Sequence, residues 1–224
     1  MPREGYQDQL DDLREEVLYM SEVVLDQLRS GLSALDSKDE DLAWDVIEGD
    51  HEINEMYLEL EKECVDLIAL QQPVAGDLRF IAASFKIITD LERIADLATN
   101  LGDYTLEAER DMFPDVDIQA IGTEVIGMIE DAMEAYANES ADGCYAIAEY
   151  DDEVDAHCER ASETVARELI KREGVNDEEE IEQLMREVYR LLLTIRDLER
   201  VGDHAVNIAA RTLYMVENDD DLLY

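Results

Sequence analysis

The residues with the clearest chemical potential are carboxylates spaced four apart. TDLERIADLATNLG, residues 89–102, carries Glu92 and Asp96, and RDLERVGDHAVNIAAR, residues 196–211, carries Glu199 and Asp203. Side chains four apart on a helix lie one above the other, so each pair can aim its oxygens at one point. Two further pairs accompany them, Asp50 with Asn54 and Asp151 with Asp155. Hard oxygen donors of this kind suit Mg²⁺, Ca²⁺, Mn²⁺ or iron, and not the soft or imidazole sets that hold zinc and copper.

One such pair means little in this chain. With 59 Asp and Glu in 224 residues, chance alone supplies on the order of fifteen acidic i, i+4 pairs, most of them solvated helix surface. Two patterns set these four apart. Ile81, Phe85, Ile88, Glu92 and Ala95 fall on one narrow helical stripe with Asp96 at its margin, and Val188, Leu192, Ile195, Glu199 and Gly202 repeat the arrangement with Asp203 at the margin. On the preceding helices, Asp50 and Asn54 are expected on a stripe with Ala43, Ile47, Leu58 and Val65, and Asp151 and Asp155 on one with Ile147, Cys158 and Val165.

Hairpin register then pairs them. In antiparallel helices, residues equidistant from the turn face each other. Asp50 with Asp96 and Asn54 with Glu92 both have their midpoint at 73, at Pro73; Asp151 with Asp203 and Asp155 with Glu199 have theirs at 177, beside Gly174 to Asp177. Each hairpin is therefore expected to gather four oxygen-bearing side chains inside or at its seam. Such a cluster needs a cation, a hydrogen-bond network or a proton. Arg93 and Arg200 offer a metal-free alternative, although they project about 100° away from Glu92 and Glu199, toward Asp90, Asp197 or a neighbouring helix. Asn100 and Asn207, one turn on, are candidates for an amide ligand or for plain interhelical hydrogen bonding.

Other chemistry finds little support. Only Glu48 to His51 has the Glu-x-x-His spacing of carboxylate di-iron bundles, which need two. His204 and His157 point away from the carboxylate faces, His204 as a surface or interface residue. Neither a P-loop nor a G-x-S-x-G elbow occurs, and nothing in the pattern reads as catalytic.

The elements that must position these groups are helices. Aromatics make up 6% of the chain, with three prolines and ten glycines, while Leu, Ala, Glu, Asp and Arg abound. Periodicity predicts six helices, over 8–36, 39–71, 75–109, 115–137, 140–172 and 177–216. Ser37, Pro73, Pro114 and Gly174 to Asp177 are expected to cap or break them. Lys86–Asn100 and Leu193–Asn207, 107 residues apart, are identical at eight positions, so the fold class is all-α: two tandem three-helix bundles, residues 1–110 and 111–224, related by an internal repeat.

Charge narrows the partners. The net charge is −41, with 59 acidic against 18 basic residues, four of them Lys. Such a surface makes sense in a salt-rich, halophilic cytoplasm and argues against nucleic-acid binding. Three cysteines without a CxxC suggest neither disulfides nor a thiolate metal site. No stretch of 18 apolar residues predicts insertion in a membrane, and the expected location is cytoplasmic.

QPVAGDLR (72–79), VIEGDHEIN in the second helix, LREEVLYMSEVVLDQL in the first and the closing DLERVGDHAVNIAARTLYMVEN together resemble the PhoU family over essentially the whole chain. The resemblance implies a non-enzymatic regulator, usually a homodimer, that restrains the phosphate-specific ABC transporter by contacting its ATPase subunit. In bacteria it also implies a sensor kinase partner, which is not carried over here. It further implies iron or other divalent metal bound through paired E(D)xxxD motifs, which fall on Asp50 with Asn54, Glu92 with Asp96, Asp151 with Asp155 and Glu199 with Asp203. Asn54 replaces a common Asp and Ala95 the glycine of ERIGD, whereas Gly202 keeps it, so the second cluster is the stronger candidate. Two other readings are a carboxylate-bridged metal storage or oxidase bundle, and a PhoU-like subunit of another ion transporter.

Overall fold

The computed structural model describes residues 2–71, 73–108, 113, 116–172 and 177–223. Six helices account for nearly all of them: α1 (Pro2–Ser37), α2 (Glu40–Gln71), α3 (Ala75–Leu106), α4 (Ile118–Asn138), α5 (Ala141–Lys171) and α6 (Glu178–Glu217), with a short 3₁₀ turn at Asp221–Leu223. The breaks at Pro114 and Gly174, and the expected boundary between residues 110 and 111, lie outside the described residues.

Local chemistry explains the ends. Pro73 sits between α2 and α3, where a residue without an amide hydrogen cannot continue a helix. Ser37 does not cap α2 as expected: its Oγ donates to the Ser33 carbonyl 2.6 Å away. Lys38 takes a left-handed turn with φ 55°, and Asp39 does the capping, its Oδ1 accepting from the Leu42 amide at 3.1 Å. Asp39→Ala is expected to cost about 1 kcal/mol in urea unfolding, while Ser37→Ala leaves the midpoint unchanged. Between α4 and α5, Glu139 is left-handed (φ 53°) and Ser140 caps by accepting from Gly143 N.

Helices α1, α2 and α3 pack as one bundle and α4, α5 and α6 as another. The bundles meet through α3 against α6 and α1 against α4. Buried side chains from all six helices join one contiguous core, with Leu13, Met20, Leu91, Ile121, Tyr136 and Ile208 essentially inaccessible. The central α3–α6 contact fixes how the two hairpins α2–α3 and α5–α6 lie, and so where the acidic pairs stand. Close approach is enforced in two places. A Cβ on Gly102 would lie 3.0 Å from the Ala43 carbonyl of α2, and one on Gly31 would lie 3.1 Å from the Ala98 carbonyl of α3. Among the described residues no helix is long and apolar enough to cross a membrane.

Two details of the expected stripes are corrected. Leu58 and Val65 are 59% and 52% exposed, and α2 instead buries Val46, Ile53, Leu60, Cys64 and Leu67. Leu192, expected inside with Glu199, is 37% exposed. Leu58 and Val65 lie fifteen and twenty-two residues beyond Ala43, far enough for the winding of α2 to matter, whereas Leu192, four residues from Val188, stands about 40° from it at the edge of the stripe. A helix packed in a bundle under-winds toward 3.5 residues per turn, and its buried stripe drifts away from the 3.6 expectation.

Candidate metal centre

On the α5–α6 seam, Asp151 and Glu199 are half-buried, whereas Asp155 and Asp203 are exposed at its outer edge. Electrostatics show that the four face one another. Burial, followed by the charges of Asp155, Asp203, Asp152 and Glu199, pushes the Asp151 carboxyl up to about 6. Asp155 is raised by burial and then by Asp203 and Asp152; Glu199 is raised by burial and then by Asp155 and Asp203.

Gly202 explains how the Asp151 carboxyl gets so close to α6. A Cβ added there would come within 3.3 Å of Asp151 Oδ1, with Met128 Sδ and Val125 Cγ1 just beyond. That oxygen is buried against apolar atoms and has no hydrogen-bond partner. An orphaned, buried carboxylate oxygen is costly, and a bound cation would satisfy it.

The α2–α3 seam is built differently. Asp50, Asn54 and Glu92 are half-buried and Asp96 is exposed. Burial and then Asp96 raise the Asp50 carboxyl, while hydrogen bonds from Asn54 and Thr99 oppose the rise. The Asn54 amide donates to Asp50 Oδ2 at 2.7 Å. Glu92 is raised by burial and by Asp96 and Asp50, with Arg93 and His204 pulling the other way. Here one of the protein's own donors, the Asn54 amide, already serves Asp50. At the position equivalent to Gly202 stands Ala95, fully buried in the core.

The α5–α6 seam therefore brings together both pairs that the register named, and the α2–α3 seam brings Asp50 to Asp96, while Asn54 turns its amide to Asp50 on its own helix. In neither do three carboxylate oxygens lie within 4.8 Å of one another; among the described residues only Asp219, Asp220 and Asp221, beside the C-terminal 3₁₀ turn, come that close. Like charges on the neighbouring acids, four in the α5–α6 seam and three in the α2–α3 seam, hold the side chains apart.

The raised Asp151 carboxyl carries a pH prediction. An unfolded Asp titrates near 3.9, so between about pH 4 and pH 6 the folded state holds the extra proton. Stability falls as pH rises through that window and levels off above it. Glu63, pushed up to about 7 by burial and by the charge and hydrogen bond of Glu16, adds a slope of its own. The measurement is therefore a difference: in metal-free buffer, Asp151→Asn is expected to lose less Tm than the parent between pH 4 and pH 6.

The sequence reading missed the principal use of the first acid in each Asp-Leu-Glu-Arg. Asp90 and Asp197 are 6% and 1% exposed and lie in the contact between the bundles. His204 Nδ1 of α6 is 2.9 Å from Asp90 Oδ1 of α3. Asp197 Oδ2 of α6 accepts from Tyr104 Oη at 2.7 Å and Asn100 Nδ2 at 3.1 Å, both on α3. Asp197 Oδ1 accepts from Arg196, and Arg200 lies 3.7 Å away; Arg93 stands 3.9 Å from Asp90. So Arg93 and Arg200 turn to Asp90 and Asp197, and Asn100 makes an interhelical hydrogen bond, while Asn207 is exposed. His204 is an interface residue, His157 bonds Glu124 on α4 at 2.9 Å, and His51 sits exposed 3.4 Å from Glu55. The signal for this network was present in the sequence: Asp90 and Asp197 are themselves identical in the repeat.

A family profile described as PhoU domain matches the chain twice, over residues 17–105 and 118–212. The chain is 35% identical over 215 residues to a phosphate-specific transport system accessory protein PhoU homolog of Pseudomonas putida, covering 95% of this chain and 80% of that protein. It is 31% identical over 214 residues to the accessory protein PhoU of Escherichia coli K12, covering 95% and 85%. A homolog from Methanothermobacter thermautotrophicus is 32% identical over 218 residues, covering 96% and 95%. Among solved structures, PhoU from Pseudomonas aeruginosa superposes with a TM-score of 0.86 at 32% identity, covering 96% of this chain and all of that one.

Proposed function

This chain belongs to the PhoU family, and from that premise we propose that it is a non-enzymatic regulator that restrains phosphate uptake from the cytoplasmic side by contacting the ATPase subunit of the phosphate-specific transporter. The observation that carries the reading is the whole-length match: both halves fit the family profile, and relatives named as accessory proteins of phosphate transport align over 95% of the chain. Two bundles locked through a buried polar contact suit an adaptor that works by docking. Deleting the gene should raise phosphate uptake in phosphate-replete cells. Unchanged uptake together with unchanged transporter expression would refute the proposal.

The metal reading is part of the same proposal and differs between the seams. Asp151, Asp155, Glu199 and Asp203 fit a hard divalent cation, because the donor set is all carboxylate and Asp151 Oδ1 is buried without a partner. Asp50, Asn54, Glu92 and Asp96 fit it less well, since Asn54 already donates to Asp50. A cation of the Mg, Ca, Mn or Fe type would supply charge neutralisation there. It would tie α5 to α6 in place of a proton on Asp151.

A further inference from the structure

We propose that the groove between α4 and α5 is a docking site for a basic amphipathic helix of a partner protein. The groove encloses about 430 Å³. Its floor is apolar and reached between small side chains: Met128, Ala135 and Ile147 are buried beneath it, and Gly143 and Ala146 keep its α5 wall low. Along α4 it runs from Met128 to Asn138, a length of about 15 Å at the helical rise, enough to seat three turns of another helix. Tyr150, 39% exposed, closes the end nearest the α5–α6 seam.

The charge around this floor identifies the occupant. Residues 111–159 hold 15 Asp and Glu and no Lys or Arg, whereas residues 160–200 hold 8 basic and 11 acidic residues. The lining of the groove follows the same pattern, its two charged side chains, Asp131 and Glu134, both being acidic. Two arginines of α1 reach it and are spent on neighbours, Arg14 on Glu139 and Arg29 on Glu130. On the rim itself Asp131 and Glu134 are exposed and take no ion pair among the described residues. They stand three apart, on the spacing at which successive turns of a docked helix would present Lys or Arg. A second copy of the chain would bring the same unrelieved negative charge to the groove and be repelled. A cationic segment with one apolar ridge meets both features, the ridge on the floor and the charges on the rim.

The inference stands whichever transporter the protein serves. Its test uses the full chain and, as probe, a labelled 18-residue peptide with Leu at i, i+3, i+4 and i+7 spacing and Lys elsewhere. Fluorescence anisotropy is read in 1 M KCl, where the Debye length of roughly 3 Å removes diffuse attraction to the acidic surface. Asp131→Lys with Glu134→Lys is expected to weaken binding at least tenfold, and so is Ala146→Trp, which fills the groove. Glu59→Lys with Asp66→Lys on the exposed face of α2 should stay within twofold. Hydrogen exchange should slow over 128–150 when the probe binds. The charge variant lies on exposed side chains, so an unchanged circular dichroism spectrum keeps the test valid even if Ala146→Trp unfolds. Three outcomes would overturn the proposal: equal weakening by the α2 control, protection confined to other helices, or a dimer of the chain alone that Ala146→Trp abolishes.

Discussion

Asp197→Ala is expected to lower the stability of the folded chain by about 2–4 kcal/mol, the range for breaking a buried, hydrogen-bonded charge network. Asp197 is 1% exposed and is the acceptor on which Tyr104 and Asn100 of α3 converge from the other bundle. Alanine takes the acceptor from the half-buried Tyr104 hydroxyl and Asn100 amide, and it leaves Arg196 and Arg200 without their carboxylate. Those two guanidiniums are about half exposed and recover water, so most of the loss comes from the two α3 donors. Asp197→Asn keeps an oxygen for Tyr104 and should lose about half as much. Asp90→Ala should also lose less, because it strands one close partner, the His204 ring nitrogen 2.9 Å away, where Asp197→Ala strands two. Urea unfolding of the four proteins gives the order directly. Equal midpoints for parent and Asp197→Ala would show that the two bundles are held by apolar packing alone.

The same residue shows where the sequence was legible and where it was not. Helix number, helix type and the facing of Asp50 with Asp96, Asp151 with Asp203 and Asp155 with Glu199 follow from local rules: period, Pro73, and equal distance from a turn. These depend on neighbours along one hairpin, so they can be read from one hairpin's sequence. The contact between α3 and α6 joins residues about a hundred positions apart, and no periodicity encodes which face of α3 meets which face of α6. Asp90 and Asp197 therefore read as partners for the arginines three residues on, which is correct and incomplete. Their interbundle partners differ between the halves. Asp90 meets His204, but the pseudo-equivalent of His204 in the first repeat is Leu97, so Asp197 is served instead by Asn100 and Tyr104. A repeat that diverged at the partner while keeping the acid could not be decoded from the acid alone. The misplaced Leu58 and Val65 have a simpler cause, the slow drift of a bundled helix away from 100° per residue over several turns.

The asymmetry between the two seams leads to the other large effect. Glu199→Ala combined with Asp203→Ala is expected to remove most of the divalent metal that the protein retains, as measured by elemental analysis after dialysis against dilute Mg²⁺, Mn²⁺ or Fe²⁺. The double change leaves Asp151 and Asp155 as the only acids of that seam's four, and α5 then has no carboxylate opposite it. Glu92→Ala with Asp96→Ala should have a much smaller effect, because Asp50 there already accepts from Asn54 at 2.7 Å and has less need of a cation. Retention by the parent should rise between pH 5 and pH 7, since a proton on Asp151, whose carboxyl titrates at about 6, competes with the ion. Below pH 5 the proton wins and parent and double variant should converge. Gly202→Val offers a check that removes none of the four acids: its branched side chain would displace Asp151 Oδ1, which lies 3.3 Å from the Cβ position, and metal retention should fall with it. If the Glu199 and Asp203 double variant retains as much metal as the parent, the α5–α6 carboxylates are held by protons and water and the ion binds elsewhere on the acidic surface.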